Sequence, residues 1–381
     1  MTKNVQLIVF SNGDAWDAST WSNVPYMFLT TFRNLRPNVD IRVFDMSLVD
    51  AGFPLSVIAK LWNFLVTRRR GALYTFDRTE FRHRLLRRKM SDFLNQEACG
   101  SGVLLSFDFS NPAPERDGYK VCMLCDWTID YVIRNHQHRE PTVGEQNLIM
   151  RQEKAIAGCD HATVLFPCSA ELIRAACPGT EIAYYGLPSN VVGEVEPCFD
   201  RFASRRIVFI GKPAYLSSLQ VVVEGLACFN ATHHGCELHL DVIGMQDGPG
   251  DKDNVTYHGF LRKDNESERI TYYGLVRSAR ALVTVSREWV GASSIVEAMS
   301  LGTPVIVSPT IELEAMLNGE GWGFWCGCTA SDVEESLSAL GDLSEADFGQ
   351  MCRCAAITVR DFTWEKFVER WCEDVGFSAD S

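Results

Sequence analysis

The chain has 381 residues, more than one hydrophobic core usually supports, so two domains of roughly 190 residues each are expected. Hydrophobic residues make up 46% and charged residues 22%, which excludes a disordered chain. A formal net charge of -13 excludes sequence-independent nucleic-acid binding by the surface as a whole, because neutralising phosphates needs an excess of Lys and Arg.

No apolar run approaches the roughly 20 residues needed to span a bilayer, and residues 5–10 are too short for a signal-peptide core, so the protein is expected to stay in the cytoplasm. Fourteen cysteines without regular spacing read as reduced thiols. Cys122 and Cys125 form a C-x-x-C inside an apolar run, and the lack of a second pair at matching spacing argues against zinc.

From the N-terminus, apolar runs at 5–10, 40–44, 102–106, 120–125, 162–166 and 181–184 read as strands, with amphipathic helical stretches between them. That alternation is the pattern of α/β folds built on parallel sheets. Gly13, in SNG after the opening strand, stands at a carboxyl edge where open α/β sheets bind ligands. A plain turn accounts for it equally well.

Between Lys60 and Asp92 the sequence carries ten basic side chains against three acids, an excess of seven in an otherwise acidic chain. Residues 68–89, from Arg68 to Lys89, hold most of them. This segment suits an anionic membrane surface, a phosphorylated or acidic acceptor, or merely a solvated helix face. Asp126 follows the fourth strand at a comparable edge, either facing a cleft as a weak base or capping a helix. His136 and His138 read as surface or loop histidines.

Residues 186–206 are rich in Pro, Gly and charge, without helical or strand period, and read as a linker. The strand pattern then restarts at 206–211 and continues at 237–243, 255–257, 281–285 and 304–307, with 321–326 as a further candidate. Helices are expected from about 217 to 235 and at 331–340, 344–362 and 363–375. Asp251, Lys252 and Asp253 have the form D-x-D, but in a polar loop that reads as a surface turn.

The stretch SREWVGASSIVEAMSLGTPVIV, residues 286–307, runs from a loop into a short helix. The first backbone N–H groups of a helix lack internal partners, so Gly291, Ala292, Ser293 and Ser294 form a candidate phosphate site. Ser294-x-x-Glu297 is equally a capping box that satisfies the helix itself. Glu297 could instead accept hydrogen bonds from a ribose diol.

Residues 258–309, HGFLRKDNESERITYYGLVRSARALVTVSREWVGASSIVEAMSLGTPVIVSP, resemble the nucleotide-sugar core of retaining GT-B glycosyltransferases of the group 1 or family 4 class. RIVFIGK at 206–212, LDVIG at 240–244 and FTWEKFVERW at 362–371 extend the resemblance over most of the second half. The first half matches more loosely, through VQLIVFSNG, TWSNVPYMFL, CDWTIDYVI and EKAIAGCDHATVLFPCSAELI.

The resemblance implies an α/β GT-B fold, with two Rossmann-like domains whose parallel sheets face across a cleft. Residues 1–190 would bind the acceptor, 205–360 the nucleotide sugar, and a helix in 361–381 would pack back on the first domain. It implies transfer, with retained anomeric configuration, from a nucleoside diphosphate sugar to a glycan, lipid-linked or protein hydroxyl in cell-surface polysaccharide or glycoconjugate synthesis. The nucleotide sugar is a co-substrate, and no cofactor and no metal are implied. The enzyme would be cytoplasmic or peripheral at the inner face of the membrane.

Residue by residue, Glu297 matches the family's second motif glutamate, on the nucleotide ribose. Trp289 stands where the first glutamate belongs, with Glu288 one residue early, and that position normally contacts the donor sugar. Lys212, just after Gly211, matches a cation on the diphosphate, whereas the second cation falls in 214–219, where there is none. Asp126 lies near where related enzymes carry an active-site histidine. The departures at Trp289 and 214–219 leave a second reading, a catalytically silent GT-B subunit that binds a partner transferase or an acceptor.

Overall fold

A computed structural model of the chain describes residues 5–49, 52, 55–67, 73–250, 253–287, 291–317 and 319–377. It divides into two compact units, Met1–Gly186 with Trp364–Ser381, and Leu187–Thr363.

The first unit carries six parallel strands, β1 (Val5–Ser11), β2 (Asp40–Asp45), β3 (Ser101–Ser106), β4 (Tyr119–Cys125), β5 (His161–Val164) and β6 (Ile182–Tyr184), in the order β2-β1-β3-β4-β5-β6. β1 is buried from Gln6 to Ser11, the continuous burial of a parallel strand covered on both faces. Its helices are α1 (Val24–Leu35), α2 (Leu55–Thr67), α3 (Glu80–Glu97), the single turn α4 (Ile129–Tyr131), α5 (Val143–Ala157) and α6 (Pro167–Ala176). β5 stops at Val164, short of the expected 166, because Phe166 is the N-cap of α6 and Pro167 opens the helix.

The second unit also has six parallel strands: β7 (Arg206–Ile210), β8 (His239–Ile243), β9 (Val255–Tyr257), β10 (Leu282–Thr284), β11 (Val305–Val307) and β12 (Gly323–Trp325). Their order is β12-β11-β10-β7-β8-β9. Its helices are α7 (Leu216–Thr232), α8 (Glu266–Ser278), α9 (Ala292–Ser300), α10 (Ile311–Met316), α11 (Ala330–Asp342) and α12 (Glu345–Thr358). α12 is shorter than the helix expected over 344–362, and Phe362 N closes a turn on Val359 O instead.

The last helix, α13 (Trp364–Val375), belongs to the first unit. Trp371 meets Phe28 of α1 edge to face at 5.0 Å, and Phe32 at 6.1 Å. Aromatic pairs of this geometry add to the area they bury. Among the described residues, no helix is long and apolar enough to cross a membrane.

Each sheet has one point where successive strands are added in opposite directions, between β1 and β3 in the first and between β7 and β10 in the second. Ligands of open α/β sheets bind outside the carboxyl ends of the strands at such a point. The loops after β1, β3, β7 and β10 are therefore where a site belongs.

Candidate active site

In the second unit, Gly211 directly follows β7 and its N–H donates to Ile243 O at 2.9 Å. Gly244, at φ +104°, lies against it so closely that an added Cβ would clash with Gly211 O. This packing fixes the turn that presents Lys212. Lys212 is exposed and stands at the N-cap of the single turn Pro213–Tyr215. Where the second cation was sought, the structure places Tyr215, whose phenol is pushed up to about 12 by burial. Its hydroxyl is 3.8 Å from where a Cβ on Gly291 would stand, so the loop after β7 reaches the start of α9.

The N-cap of α9 is Gly291, and no side chain caps the helix. Ser294 Oγ turns back to donate to Gly291 O at 2.7 Å. The capping box read from Ser294 and Glu297 is therefore not formed. The amides of Ala292 and Ser293 meet no acceptor among the described residues, which leaves two donors at the positive end of the helix dipole. Glu288 and Trp289 lie outside the described residues, as do Asp251 and Lys252.

Glu297 is buried, at 2% exposure. Lys263 Nζ donates to both its oxygens at 2.5 and 2.7 Å, and Tyr272 Oη donates to Oε2 at 3.1 Å. Burial pushes the Glu297 carboxyl up from its usual range, and the Lys263 ammonium pulls it back. Lys263 also lies 4.6 Å from the centre of the Tyr272 ring. Neither Lys263 nor Tyr272 was singled out in the sequence, although Lys263 follows β9 at the carboxyl edge of the sheet, a position that calls for attention to any cation. The Tyr273 hydroxyl adds a further hydrogen bond, so the carboxylate is met on several sides.

In the first unit, Gly13 takes φ +117°, and its N–H donates to Asp45 Oδ1 at 2.9 Å. That backbone conformation favours glycine. Asp126 accepts from Trp127 N at 2.9 Å, from Cys125 Sγ at 3.3 Å and, more weakly, from Trp21 Nε1 at 3.4 Å. Burial pushes its carboxyl up. The N-cap role is overturned, because Thr128 Oγ1 caps α4 by accepting from Tyr131 N. Trp21, Ser22 and Asn23 take φ of 39°, 54° and 71° in succession, a run of left-handed non-glycine backbone that costs energy and aims the Trp21 indole at Asp126. Asp108, after β3 at the switch point, was missed, and it holds Ser110 N at 2.7 Å and Asn111 Nδ2 at 2.5 Å.

His136 is not a surface histidine: it is buried, edge to face with Trp127, the two ring centres 4.6 Å apart. The basic segment also divides. Arg82 is buried and donates to Met46 O and Val49 O. Arg84 pairs with Glu80 at 3.0 Å, while Arg87, Arg88 and Lys89 are exposed. Arg68, Arg69 and Arg70 lie outside the described residues.

Two doubly wound parallel sheets, one in each unit, define the GT-B fold. No protein-family model matches the chain, and no curated protein matches it. Solved structures do. The α,α-trehalose-phosphate synthase of Burkholderia xenovorans, in complex with glucose-6-phosphate, has a TM-score of 0.62 at 10% identity, over 97% of this chain and 100% of that one. The lipopolysaccharide outer core galactosyltransferase WaaB has a TM-score of 0.59 at 13% identity, over 98% and 99%. A mutant of S. aureus TarM, in complex with fondaparinux, α-GlcNAc-glycerol and UDP, has a TM-score of 0.55 at 11% identity and covers 75% of this chain, which spans 58% of that longer protein. These likenesses establish the fold.

Proposed function

We propose that this protein transfers a sugar from a nucleoside diphosphate sugar to an acceptor hydroxyl with retained anomeric configuration. The observation that carries the reading is the pair of open amides at the start of α9 and the exposed Lys212, which follow the neighbouring strands β10 and β7 at the switch point of the second sheet. Hydrogen-bond donors and a cation fixed where a diphosphate leaves stabilise the charge that develops on it. Support also comes from the fold shared with enzymes that act on activated sugars, one of them solved with UDP.

In the proposed step, the bond from the anomeric carbon to the diphosphate breaks, and the acceptor oxygen bonds to that carbon from the same face. The acceptor proton passes to the departing phosphate oxygen. Asp126 orients the acceptor hydroxyl, and Lys212, Gly211 and the α9 amides of Ala292 and Ser293 take the diphosphate. Glu297 accepts from a ribose hydroxyl. No metal is assigned a role in this step.

The test is incubation with UDP-, GDP- and ADP-sugars, measuring nucleotide release with and without lipid or glycan extracts. One donor class should release nucleotide, faster when acceptor is present. No release from any donor, with calorimetry showing no nucleoside diphosphate binding, overturns the reading and favours the silent subunit.

A further inference from the structure

On a helix of a soluble fold the apolar stripe turns inward. α2 is reversed. At about 100° per residue, Val57, Ile58, Leu61 and Leu65 fall on one continuous arc. They are 54%, 50%, 60% and 56% exposed. Leu55, Ser56, Ala59, Asn63 and Val66 occupy the other side and are the part-buried ones. Asn63 Oδ1 accepts from Phe76 N at 2.6 Å, so this mixed side fastens the helix to the body of the unit and a second, wholly apolar arc is left outward. Phe81, half exposed near the start of α3, has its ring 6.2 Å from that of Phe76 and adds to the same apolar region.

Cations border this surface. Lys60 is exposed at the edge of the α2 stripe, and by helical spacing Arg84 and Arg88 share the outer face of α3 with Phe81. The sequence places three further arginines directly after α2. In a chain of net charge -13 this is a local reversal of sign.

We propose that α2 lies in the interface of an anionic lipid bilayer, its outward apolar arc among the acyl chains and Lys60 and Arg88 against headgroup phosphates. The cations decide the occupant. A second copy of this chain would bring the same basic rim to a two-fold face, like charge against like, whereas anionic lipid neutralises it. Arg82 and His83, on the first turns of α3, bind Met46 O and Asn111, in the loops at the carboxyl edge of the first sheet. The bilayer would therefore lie beside the rim that holds Gly13 and Asp126. Resting on the transferase reading, this selects a lipid-linked acceptor over a soluble one.

The test is sedimentation of the full chain with phosphatidylglycerol or phosphatidylcholine vesicles over a range of salt. Binding is expected to the anionic vesicles and should fall as salt rises. The double variant Leu61→Glu/Leu65→Glu should bind at least about tenfold more weakly, and Arg88→Ala about fivefold. Thermal unfolding should be unchanged in both, since these side chains are exposed. No binding to anionic vesicles, or undiminished binding by the double variant, overturns the proposal. So does a concentration-dependent dimer that the double variant dissolves in a protein that binds no vesicles. Calorimetry of nucleoside diphosphate binding reports on the second unit alone, so a failure here is distinguishable from a failure of the transferase reading.

Discussion

Replacing Lys263 by Met would leave the Glu297 carboxylate buried with only the neutral hydroxyls of Tyr272 and Tyr273 to meet it. The two side chains are 13% and 3% exposed, so the pair counts as buried. Removing one partner of such a pair costs about 3–5 kcal/mol. Glu297 can relieve part of this by taking up a proton, which points to the lower end, about 3 kcal/mol near neutral pH. The pH dependence has a definite sign. Burial already raises the folded-state value of Glu297 above its ordinary one. An acid raised in this way contributes stability that is fully present below its unfolded value and is lost as pH rises through its folded value. Without Lys263 the folded value climbs further and the loss extends to higher pH. The deficit of Lys263→Met should therefore be small at about pH 5 and near its full size at about pH 8. Lys263→Met/Glu297→Gln carries no buried charge at this site and should recover most of the loss. Urea unfolding, followed by hydrogen exchange of peptides from α9, measures both variants in the unit concerned. A single variant as stable as the parent at the higher pH, or a double variant no better than the single, would refute the assignment of the pair.

Lys212→Ala should weaken nucleoside diphosphate binding by about tenfold or more in calorimetry, the size of a lost charge-assisted hydrogen bond, with no shift in thermal unfolding because Lys212 is exposed. Gly244→Ala forces a Cβ onto the Gly211 carbonyl at a φ that disfavours side chains, and should destabilise the second unit by about 2 kcal/mol or more in urea unfolding. Asp126→Asn tests the acceptor side. If the ionised carboxylate orients the hydroxyl, kcat/KM rises with pH through a value above the ordinary carboxyl range, and that acid limb should vanish in the variant.

Most of the fold was legible because parallel strands covered on both faces are continuous apolar runs, as VQLIVFS in β1 and RIVFI in β7 illustrate. The reading slipped where an apolar run outlasted its pairing. Leu165 and Phe166 are buried and hydrophobic, yet Pro167 has already committed the backbone to α6. Arg82 slipped for the opposite reason: a run of basic residues reads as a solvated face, and nothing in DRTEFRHRLLRRKM distinguishes the one guanidinium that the carbonyls of Met46 and Val49 draw inside. The sequence of α2 shows a helix apolar nearly all round, but not which of its apolar residues face outward.

The site was legible to the extent that its parts are local. Gly211, Lys212 and the small residues from Gly291 to Ser294 could be proposed from the sequence because turn and helix-start chemistry is written within a few residues. Glu297 exposes the limit of such rules. The local pattern pairs it with Ser294, but a buried carboxylate needs more than the neutral donors a cap supplies to offset its desolvation, and the cation that meets this need lies 34 positions away in sequence. The same competition gives the pair its place in the chemistry proposed above. With Glu297 engaged by Lys263, Tyr272 and Tyr273, a ribose hydroxyl has little freedom in how it approaches. In that proposed chemistry Lys263 is a positioning residue: it touches no substrate, but its ammonium favours the ionised carboxylate and fixes its angle, which would hold the nucleoside in one orientation relative to the amides of α9.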